Sequence, residues 1–247
     1  MIKNKHYFVA DTHLGVPNYE ASLEREKKLV RFLLEAEKDA KVIYLLGDIF
    51  DFWHEYKYVV PKYYVRLLGT LASIVDRGTP VHFFTGNHDQ WIRDYFQKEI
   101  GMIVHTKEYE ITIDGKNFFL AHGDGFDLTD KKYLFMKRLF GSKIIRIMFA
   151  SIHPRWAIAF GNAWSKSSRK SHSEYDLIDK GEEELQFKYC NEILKTKDID
   201  YFILGHRHLN KEYILEKEKK LIILSDWINE SGYALWCGED LKLKSFE

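Results

Sequence analysis

The sequence predicts a layered α/β fold in which two β-sheets pack face to face. Short apolar runs rich in aromatic and β-branched residues recur along the chain, as buried strands do. Between the first three of these runs the apolar residues have helical spacing, and such alternation favours helices layered on a sheet. A length of 247 residues suits one large domain, residues 1–247, with a substantial core.

Each element has its own signal. Helices are predicted over Ser22–Ala40 and Lys62–Arg77, where large aliphatic residues recur every three or four positions. Glu108–Ile113, followed by Asp114 and Gly115, indicates a hairpin, which adds an antiparallel edge and favours a second sheet. The predicted buried strands are Tyr7–Ala10, Val42–Leu46, Val81–Thr85, Phe118–Ala121, Tyr201–Leu204 and Leu221–Leu224.

One long segment departs from this alternation. Residues 131–173 contain ten Lys and Arg residues and no Asp or Glu, together with many large apolar side chains. The segment is too long for a plain connection between strands. We therefore predict a basic and apolar helical cap, inserted at residues 128–173. The run Ser165–Ser173 is open to two interpretations, a substrate-contacting segment or a solvated loop.

Composition excludes several classes of protein. A formal net charge of zero argues against a protein that binds nucleic acid through bulk electrostatics. The two cysteines, Cys190 and Cys237, share no short motif, so we expect no disulfide framework and a reducing, cytoplasmic compartment. We identify no signal peptide and no apolar run of about eighteen residues that would cross a membrane.

Polar clusters follow five of the six predicted strands. Because ligands bind beyond the carboxyl ends of strands in α/β sheets, we expect these clusters to converge on one rim. A glycine precedes Asp48, Asn87 and His206, which permits the close approach that a crowded site needs. The clusters are Asp11-Thr12-His13, Gly47-Asp48-Ile49-Phe50-Asp51, Gly86-Asn87-His88-Asp89, His122-Gly123-Asp124 and Gly205-His206-Arg207-His208.

The clusters offer hard oxygen donors and imidazole nitrogens, and no thiolate. Such donors suit Mn²⁺, Fe²⁺, Zn²⁺ or Mg²⁺ rather than a cysteine-bound structural zinc. The candidate ligands are too many for one tetrahedral ion and suit two ions with a bridging carboxylate. Two ions about 3.5–4 Å apart clamp a phosphoryl group and activate a water between them, so the pattern indicates phosphoester hydrolysis.

Other polar residues have plainer interpretations. We interpret Asp51 as a support for a ligand, with a loop cap as the alternative, and Asp124 as the residue that closes the turn after His122. A lone histidine after a strand is usually structural, and four are expected to be so: His6, His54, His82 and His105.

Taken together, the clusters resemble the calcineurin-like metallophosphoesterase superfamily, whose pattern is D-x-H, G-D-x-x-D, G-N-H-[DE], an isolated H, and G-H-x-H. The resemblance spans residues 7 to about 210 and implies a four-layer α/β-β/α sandwich. It implies that His88 contacts the phosphate or the leaving oxygen and that Asp89 orients His88. It also implies two metal ions, one held by Asp11, His13, Asp48 and His208, the other by Asp48, Asn87, His122 and His206.

Further stretches, residues 47–53, 128–130, 164–170 and 224–227, resemble the UDP-2,3-diacylglucosamine hydrolases of lipid A synthesis. That resemblance implies cleavage of the substrate pyrophosphate to UMP and lipid X by a manganese enzyme. It also implies a nucleotide-linked glycolipid substrate, peripheral attachment to the inner membrane and no obligate protein partner. Position 88 is arginine in the best-known branch of those hydrolases and histidine here. The implied substrate contacts are Asn87, His88, Asp130, Ser165, Arg169 and His206.

An apolar cap suits acyl chains, and its cations suit a pyrophosphate and an anionic membrane surface. Three alternatives stay open. The first is a phosphoesterase of the same fold that acts on nucleotides, nucleic acid, phosphoproteins or other phospholipids. The second is a scaffold that has lost its metals, against which the complete ligand set argues. The third is a membrane-surface module with vestigial chemistry.

Overall fold

A computed structural model describes residues 2–126, 131–172 and 178–247. For residues 166–172 the description covers the backbone alone. In chain order its strands are β1 (Lys5–Val9), β2 (Ala40–Leu45), β3 (Val81–Phe84), β4 (Ile103–His105), β5 (Tyr109–Ile113), β6 (Lys116–Leu120), β7 (Tyr201–Leu204), β8 (Lys211–Ile214), β9 (Lys220–Ile223), β10 (Gly232–Trp236) and β11 (Leu241–Ser245). Its α-helices are α1 (Tyr19–Glu37), α2 (Val65–Asp76), α3 (Lys131–Gly141), α4 (Lys143–Ala150), α5 (Pro154–His172) and α6 (Leu185–Leu194).

The strands form two sheets, as the sequence predicted. One has the order β11-β10-β1-β2-β3-β4 and the other the order β5-β6-β7-β9-β8. The central strands run parallel, and antiparallel strands lie at the edges of the second sheet. The predicted hairpin is confirmed, and its turn residues Asp114 (φ 49°) and Gly115 (φ 79°) both have the left-handed backbone of a type I′ turn.

Alternate residues along the strands bury opposite faces, and this alternation produces four layers. In β1, Phe8 faces the second sheet, whereas Tyr7 and Val9 face α1 and α2. Helix α6 covers the outer face of the second sheet through Cys190 and Leu194. Burying each large apolar side chain contributes about 1.5–3 kcal/mol, so three stacked cores hold the layers together. The predicted α/β-β/α sandwich is confirmed.

The two predicted helices exist with shifted ends. Helix α1 begins at Tyr19 because the Asn18 side chain accepts a hydrogen bond from the Ala21 N–H (2.9 Å). Helix α2 begins at Val65 because Tyr63 and Tyr64 have left-handed backbones, with φ of 83° and 51°. Strands β4, β8, β10 and β11 and helix α6 were not predicted, and three of these strands are mostly exposed edges without a continuous apolar run.

Helices α3, α4 and α5 occupy residues 131–172 of the predicted cap, while residues 128–130 and 173 lie outside the described ranges. They pack on the rim through a cluster that includes Trp91, Phe149 and Ala157. The Trp91 indole N–H donates to the Phe140 carbonyl (2.8 Å), and the Arg146 guanidinium donates to the Ile92 carbonyl (2.8 Å). Because α5 continues to His172, the run that sequence left open is helical through that residue. None of the described helices has the length and apolarity needed to cross a bilayer.

Candidate metal centre

The predicted donors come together where strands of both sheets end. Three groups of side chains have ligand atoms within 4.8 Å of one another: Asp11, His13 and His208; Asp48, His122 and His206; and His13, Asp51 and His88. Asn87 joins the second group because its Oδ1 lies 3.2 Å from His122 Nε2. All seven residues that sequence analysis assigned to two ions are therefore gathered at one rim.

Asp48 lies between the first and the second of these groups. Its Oδ2 atom is 3.2 Å from His122 Nε2 in one group and 3.9 Å from His13 Nε2 in the other. Its second oxygen, Oδ1, accepts a hydrogen bond from the His88 backbone N–H (2.9 Å), which fixes the carboxylate plane. A carboxylate in this position can supply an oxygen to each of two neighbouring cations, as a bridging ligand must.

The backbone is strained at most of these residues. A left-handed backbone costs a non-glycine residue about 1–2 kcal/mol, and such strain clusters at functional sites. Local hydrogen bonds hold it, such as that from the His206 N–H to Asp11 Oδ2 (2.8 Å). Five of the seven donors have this conformation: Asp11 (φ 55°), His13 (φ 43°), Asp48 (φ 51°), His206 (φ 70°) and His208 (φ 54°).

Glycines permit the loops to approach one another closely, as predicted. A Cβ atom on Gly86 would lie 2.2 Å from Asp48 Oδ1, and one on Gly205 would lie 2.5 Å from Asp11 Oδ2. Neither distance is compatible with a side chain. The carboxylates of Asp48 and Asp11 therefore occupy space that exists only because the neighbouring loops carry glycine.

The imidazole rings are oriented so that donor nitrogens face the centre. The His122 Nδ1–H donates to the Leu46 carbonyl (2.9 Å), so Nε2 is the nitrogen that faces Asp48 and can bind a metal ion once it is deprotonated. On the far side of two other rings, His208 Nδ1 lies 3.5 Å from Asp226 Oδ2 and His13 Nδ1 lies 3.5 Å from Asp51 Oδ1. Asp226 falls in the 224–227 stretch that the sequence singled out.

Metal ions fit this donor set. Asp11 Oδ1 is buried and makes no hydrogen bond among the described residues, and an unpaired buried oxygen is costly. Oxygen and imidazole donors without thiolate are those that hard and borderline divalent cations take.

The buried charges of the site also favour bound cations. Burial disfavours the protonated form of His122, but the adjacent Asp48 carboxylate outweighs it and raises the pKa of His122 to about 10. Burial likewise opposes ionisation of Asp48, yet His122 and His88 hold its pKa well below the usual range. Burial and the neighbouring His122 lower the pKa of His206 to about 4. Without a metal ion, a proton on His122 balances the Asp48 charge.

The prediction that Asp89 orients the His88 ring is wrong. The Asp89 carboxylate is fully buried and accepts hydrogen bonds from the backbone N–H groups of Gly86 (2.8 Å) and Ile49 (2.9 Å). These bonds tie the loop after β3 to the loop after β2. Carboxylates readily accept several backbone N–H groups, and this use leaves Asp89 turned away from the imidazole. The His88 Nδ1 atom lies instead 2.9 Å from the Asp51 carbonyl oxygen.

Comparison with known proteins identifies this architecture. Residues 5–210 match the sequence profile of the calcineurin-like phosphoesterases. The chain belongs to the calcineurin-like phosphoesterase family. Members of this family are metal-dependent hydrolases that bind two divalent ions. The predicted reaction class, a hydrolase, is thereby confirmed, and the resemblance drawn from the five clusters is borne out.

Individual relatives agree with this placement. A UDP-2,3-diacylglucosamine hydrolase from Porphyromonas gingivalis is 37% identical over 259 residues, which cover 100% of this chain and 99% of that protein. A protein of the same name from Neisseria gonorrhoeae is 27% identical over 226 residues, covering 91% and 90% of the two chains. A dimetal phosphatase from Danio rerio shares the fold, with a TM-score of 0.53 at 13% identity over 99% of this chain and 96% of that one.

An aromatic cavity opens beside the metal centre of this phosphoesterase. It lies between the rim and the helices of residues 131–172. On the rim side it is bounded by Asn87 and His88. Its apolar wall comes from both the core and these helices and consists of Phe52, Trp91, Phe140, Phe149, Phe160 and Trp164.

The predicted substrate contacts have different outcomes. Asn87, His88 and His206 lie at the rim. Ser165 is almost completely buried and lines the cavity next to the rim, with Oγ 2.6 Å from Asp51 Oδ2. Asp130 and the side chain of Arg169 lie outside the described part of the chain.

Sequence analysis missed Arg25 as a support of the centre. Its buried guanidinium donates from Nε to the Thr12 carbonyl (2.7 Å) and from Nη2 to the His13 carbonyl (2.8 Å), so it clamps the strained Asp11–His13 loop. A signal existed. Ser22 and Arg25 occupy positions on the face of α1 that also buries Leu29, where an apolar residue is expected.

Asp124 lies in the turn after His122, as predicted, and its side chain has a further role that the sequence did not indicate. Its buried carboxylate accepts a hydrogen bond from the Tyr133 hydroxyl (3.0 Å) and pairs with the Lys137 ammonium (2.7 Å), both from α3. Asp124 therefore anchors the first helix of residues 131–172 to the loop that carries His122. No sequence pattern indicated this role, because Tyr133 and Lys137 meet Asp124 only in the tertiary fold.

Proposed function

We propose that this phosphoesterase hydrolyses the pyrophosphate of UDP-2,3-diacylglucosamine to UMP and 2,3-diacylglucosamine 1-phosphate (lipid X). The proposal is supported by two relatives that are named UDP-2,3-diacylglucosamine hydrolases, one of them 37% identical over the whole chain. The observation that carries it is the aromatic cavity beside His88 and Asn87. A phosphoesterase of small polar substrates has no use for such a cavity next to its reacting atoms.

The chemical character of the site suits the proposed substrate. A diacylated sugar phosphate joins an anionic pyrophosphate to long apolar chains, and the site joins a cation-binding rim to an aromatic pocket in the same order. Pockets of this kind bury most of a ligand's apolar surface and use few polar groups to orient it. Helices α3–α5 supply Phe140, Phe149, Phe160 and Trp164 to the wall. We propose that residues 128–173 are an acyl-binding cap inserted in a single domain.

We further propose that two divalent ions, with Mn²⁺ the first candidate and Fe²⁺, Zn²⁺ and Mg²⁺ the alternatives, bind at the rim. Bound there, they supply Lewis acidity to the phosphoryl oxygens and lower the pKa of a water for attack. Asp48 would be the shared ligand, since its Oδ2 faces both groups. One ion would be held by Asp11, His13, Asp48 and His208, the other by Asp48, Asn87, His122 and His206.

His88 has the proposed task of stabilising the leaving oxygen. Its Nε2 atom lies 4.0 Å from Asp48 Oδ2, on the side of the ring that faces the centre. Because Nδ1 is engaged by the Asp51 carbonyl, Nε2 is the nitrogen that can contact a phosphoryl or leaving oxygen. Asn87, His206, Asp130 and Arg169 remain the proposed substrate contacts.

The cap also supports a proposal of peripheral attachment to the inner face of the cytoplasmic membrane. Residues 131–172 contain no Asp or Glu, so the cap is cationic throughout. Exposed apolar side chains lie among these cations. On α4 they are Ile144 (70%), Ile147 (67%) and Met148 (62%). A basic surface with exposed large apolar residues binds anionic bilayers through electrostatic attraction to the headgroups and through burial of the apolar side chains.

Mass spectrometry of the products tests the proposed substrate. Purified protein with Mn²⁺ is incubated with UDP-2,3-diacylglucosamine, with UDP-N-acetylglucosamine as the unacylated control, and with bis(p-nitrophenyl) phosphate and cyclic nucleotides. We expect UMP and lipid X from the diacyl substrate at a kcat/KM far above that for the unacylated sugar nucleotide. Equal turnover of acylated and unacylated sugar nucleotides, or a preference for cyclic nucleotides, would assign another substrate.

A further inference from the structure

A serine from the cap reaches two loops of the catalytic rim. Ser165 belongs to α5, and its side chain is almost completely buried. Its Oγ lies 2.6 Å from Asp51 Oδ2 and 3.0 Å from His88 Nδ1. Asp51 follows β2 and His88 follows β3, so one hydroxyl joins the cap to both loops.

Hydrogen-bond chemistry assigns the protons at this junction. A hydroxyl has one proton to donate, and an ionised carboxylate can only accept. The short contact therefore directs the Ser165 proton to Asp51, and towards His88 the serine oxygen acts as an acceptor. The Asp51 carbonyl oxygen, 2.9 Å from His88 Nδ1, can also only accept. Two acceptors at Nδ1 place the ring proton on Nδ1.

The consequence appears on the other side of the ring. With Nδ1 fixed against Ser165 and Asp51, the Nε2 atom is turned towards Asp48 and the metal centre, at 4.0 Å from Asp48 Oδ2. We propose that Ser165 is a positioning residue for the phosphoester hydrolysis, which holds His88 in this orientation and tautomer. The proposal rests on the catalytic role proposed for His88. It makes the docked cap part of the catalytic apparatus as well as an acyl pocket.

The packing of α5 explains how Ser165 reaches so far. Ala157, Gly161 and Ser165 are spaced four residues apart, so they share one face of the helix. Ala157 is fully buried, and a Cβ on Gly161 would lie 2.3 Å from the tip of the Phe52 ring. Small residues on this face let the helix axis approach the loop after β2. This close approach lets the Ser165 hydroxyl reach Asp51. Larger residues on the same face would keep the helix too far from the loop for that contact.

Kinetics on a small diester test the proposal without reference to the lipid substrate. Turnover of bis(p-nitrophenyl) phosphate is measured for Ser165→Ala, Ser165→Thr and, as a matched control, Ser151→Ala, whose hydroxyl bonds the Ile147 carbonyl of its own helix. We expect Ser165→Ala to lower kcat by about 10- to 100-fold with unchanged KM, metal content and melting temperature. Ser165→Thr keeps the hydroxyl and is expected to restore most of kcat.

A double-mutant cycle separates positioning from plain structural support. If Ser165 acts through His88, Ser165→Ala adds little further loss in a His88→Ala background. Independent, multiplying losses overturn the proposal, as does a Ser165→Ala variant with wild-type kcat or with reduced metal content. Failure to cleave UDP-2,3-diacylglucosamine, with the diester still hydrolysed, defeats the proposed substrate and leaves this test intact.

A second measurement does not depend on turnover. ¹⁵N spectra of histidine-labelled protein report which ring nitrogen carries the proton, and His88→Ala identifies the resonance. We expect the Nδ1–H form of His88 in the wild type and a mixture of tautomers in Ser165→Ala. A wild-type His88 already in the Nε2–H form overturns the assignment.

Discussion

His122 Nε2 lies 3.2 Å from Asp48 Oδ2, although His122 follows β6 in one sheet and Asp48 follows β2 in the other. This contact joins the two sheets at the rim. It also makes the donor pair electrically interdependent, since the Asp48 carboxylate raises the pKa of His122 to about 10. The charge state of each of these two proposed ligands therefore depends on what occupies the centre.

Metal binding to the metal-free protein is expected to release protons. His122 has a raised pKa, so it is protonated at pH 7, and a metal ligand must be neutral. Binding therefore expels its proton, and affinity should increase with pH up to about 10. Calorimetry at pH 7 in buffers with different ionisation enthalpies counts these protons. A binding enthalpy that does not depend on the buffer would show that His122 is not a ligand.

Asp48→Ala is expected to abolish metal binding and turnover together, because it removes the ligand that faces both groups. Metal content by elemental analysis should fall from about two ions per chain towards none. Asp39→Ala is the matched control, since Asp39 bonds Tyr7 and Lys5 away from the rim. Full occupancy of either ion together with normal activity in Asp48→Ala would defeat the bridging assignment.

His88→Ala should keep its metals and lose rate. The side chain faces the centre and contributes to the group of His13 and Asp51, but not to the two donor groups proposed to hold the ions, so we expect its removal to leave those ligands in place. We expect kcat to fall by about 10²- to 10⁴-fold at unchanged metal content, as for the loss of a general acid or electrostatic catalyst. Metal loss in this variant would instead make His88 a ligand.

Two glycine substitutions should affect different properties, metal affinity in one case and the free energy of unfolding in the other. In Gly86→Ala the new Cβ would lie 2.2 Å from Asp48 Oδ1, so Asp48 must move and metal affinity should fall sharply. In Gly69→Ala, inside α2, the Cβ has open space and should raise the free energy of unfolding by about 0.5–1 kcal/mol. Chemical denaturation and metal titration of both variants measure these effects. Equal metal affinity in Gly86→Ala and the wild type would refute the steric argument.

Vesicle binding should depend on the apolar face of α4. Replacing Ile144, Ile147 and Met148 together with glutamine removes the residues proposed to enter the headgroup region. We expect flotation with anionic vesicles to fall by about 10-fold or more. Val65→Gln, which changes an equally exposed apolar residue on α2, is the control. Unchanged flotation of the triple variant would remove the cap from the membrane proposal.

Much of the fold and the donor set could be predicted from the sequence. The strands of the core are short apolar runs, and each donor directly follows the end of a strand, where parallel strands bring their carboxyl ends together. The predicted glycines at positions 86 and 205 also proved necessary. These features are local, because a residue's position at a strand end is set by its neighbours along the chain.

The sequence by itself thus determined the reaction class, the layered sheets and the seven donors at the rim. Only the tertiary structure decided which residues hold those donors and His88, the proposed catalytic residue. Asp89 joins two loops, Arg25 clamps a third from the face of α1, and Ser165 comes to His88 from the cap. Such contacts depend on how elements that are far apart in the sequence pack against each other. The spacing of residues along a single segment does not encode which elements meet in space.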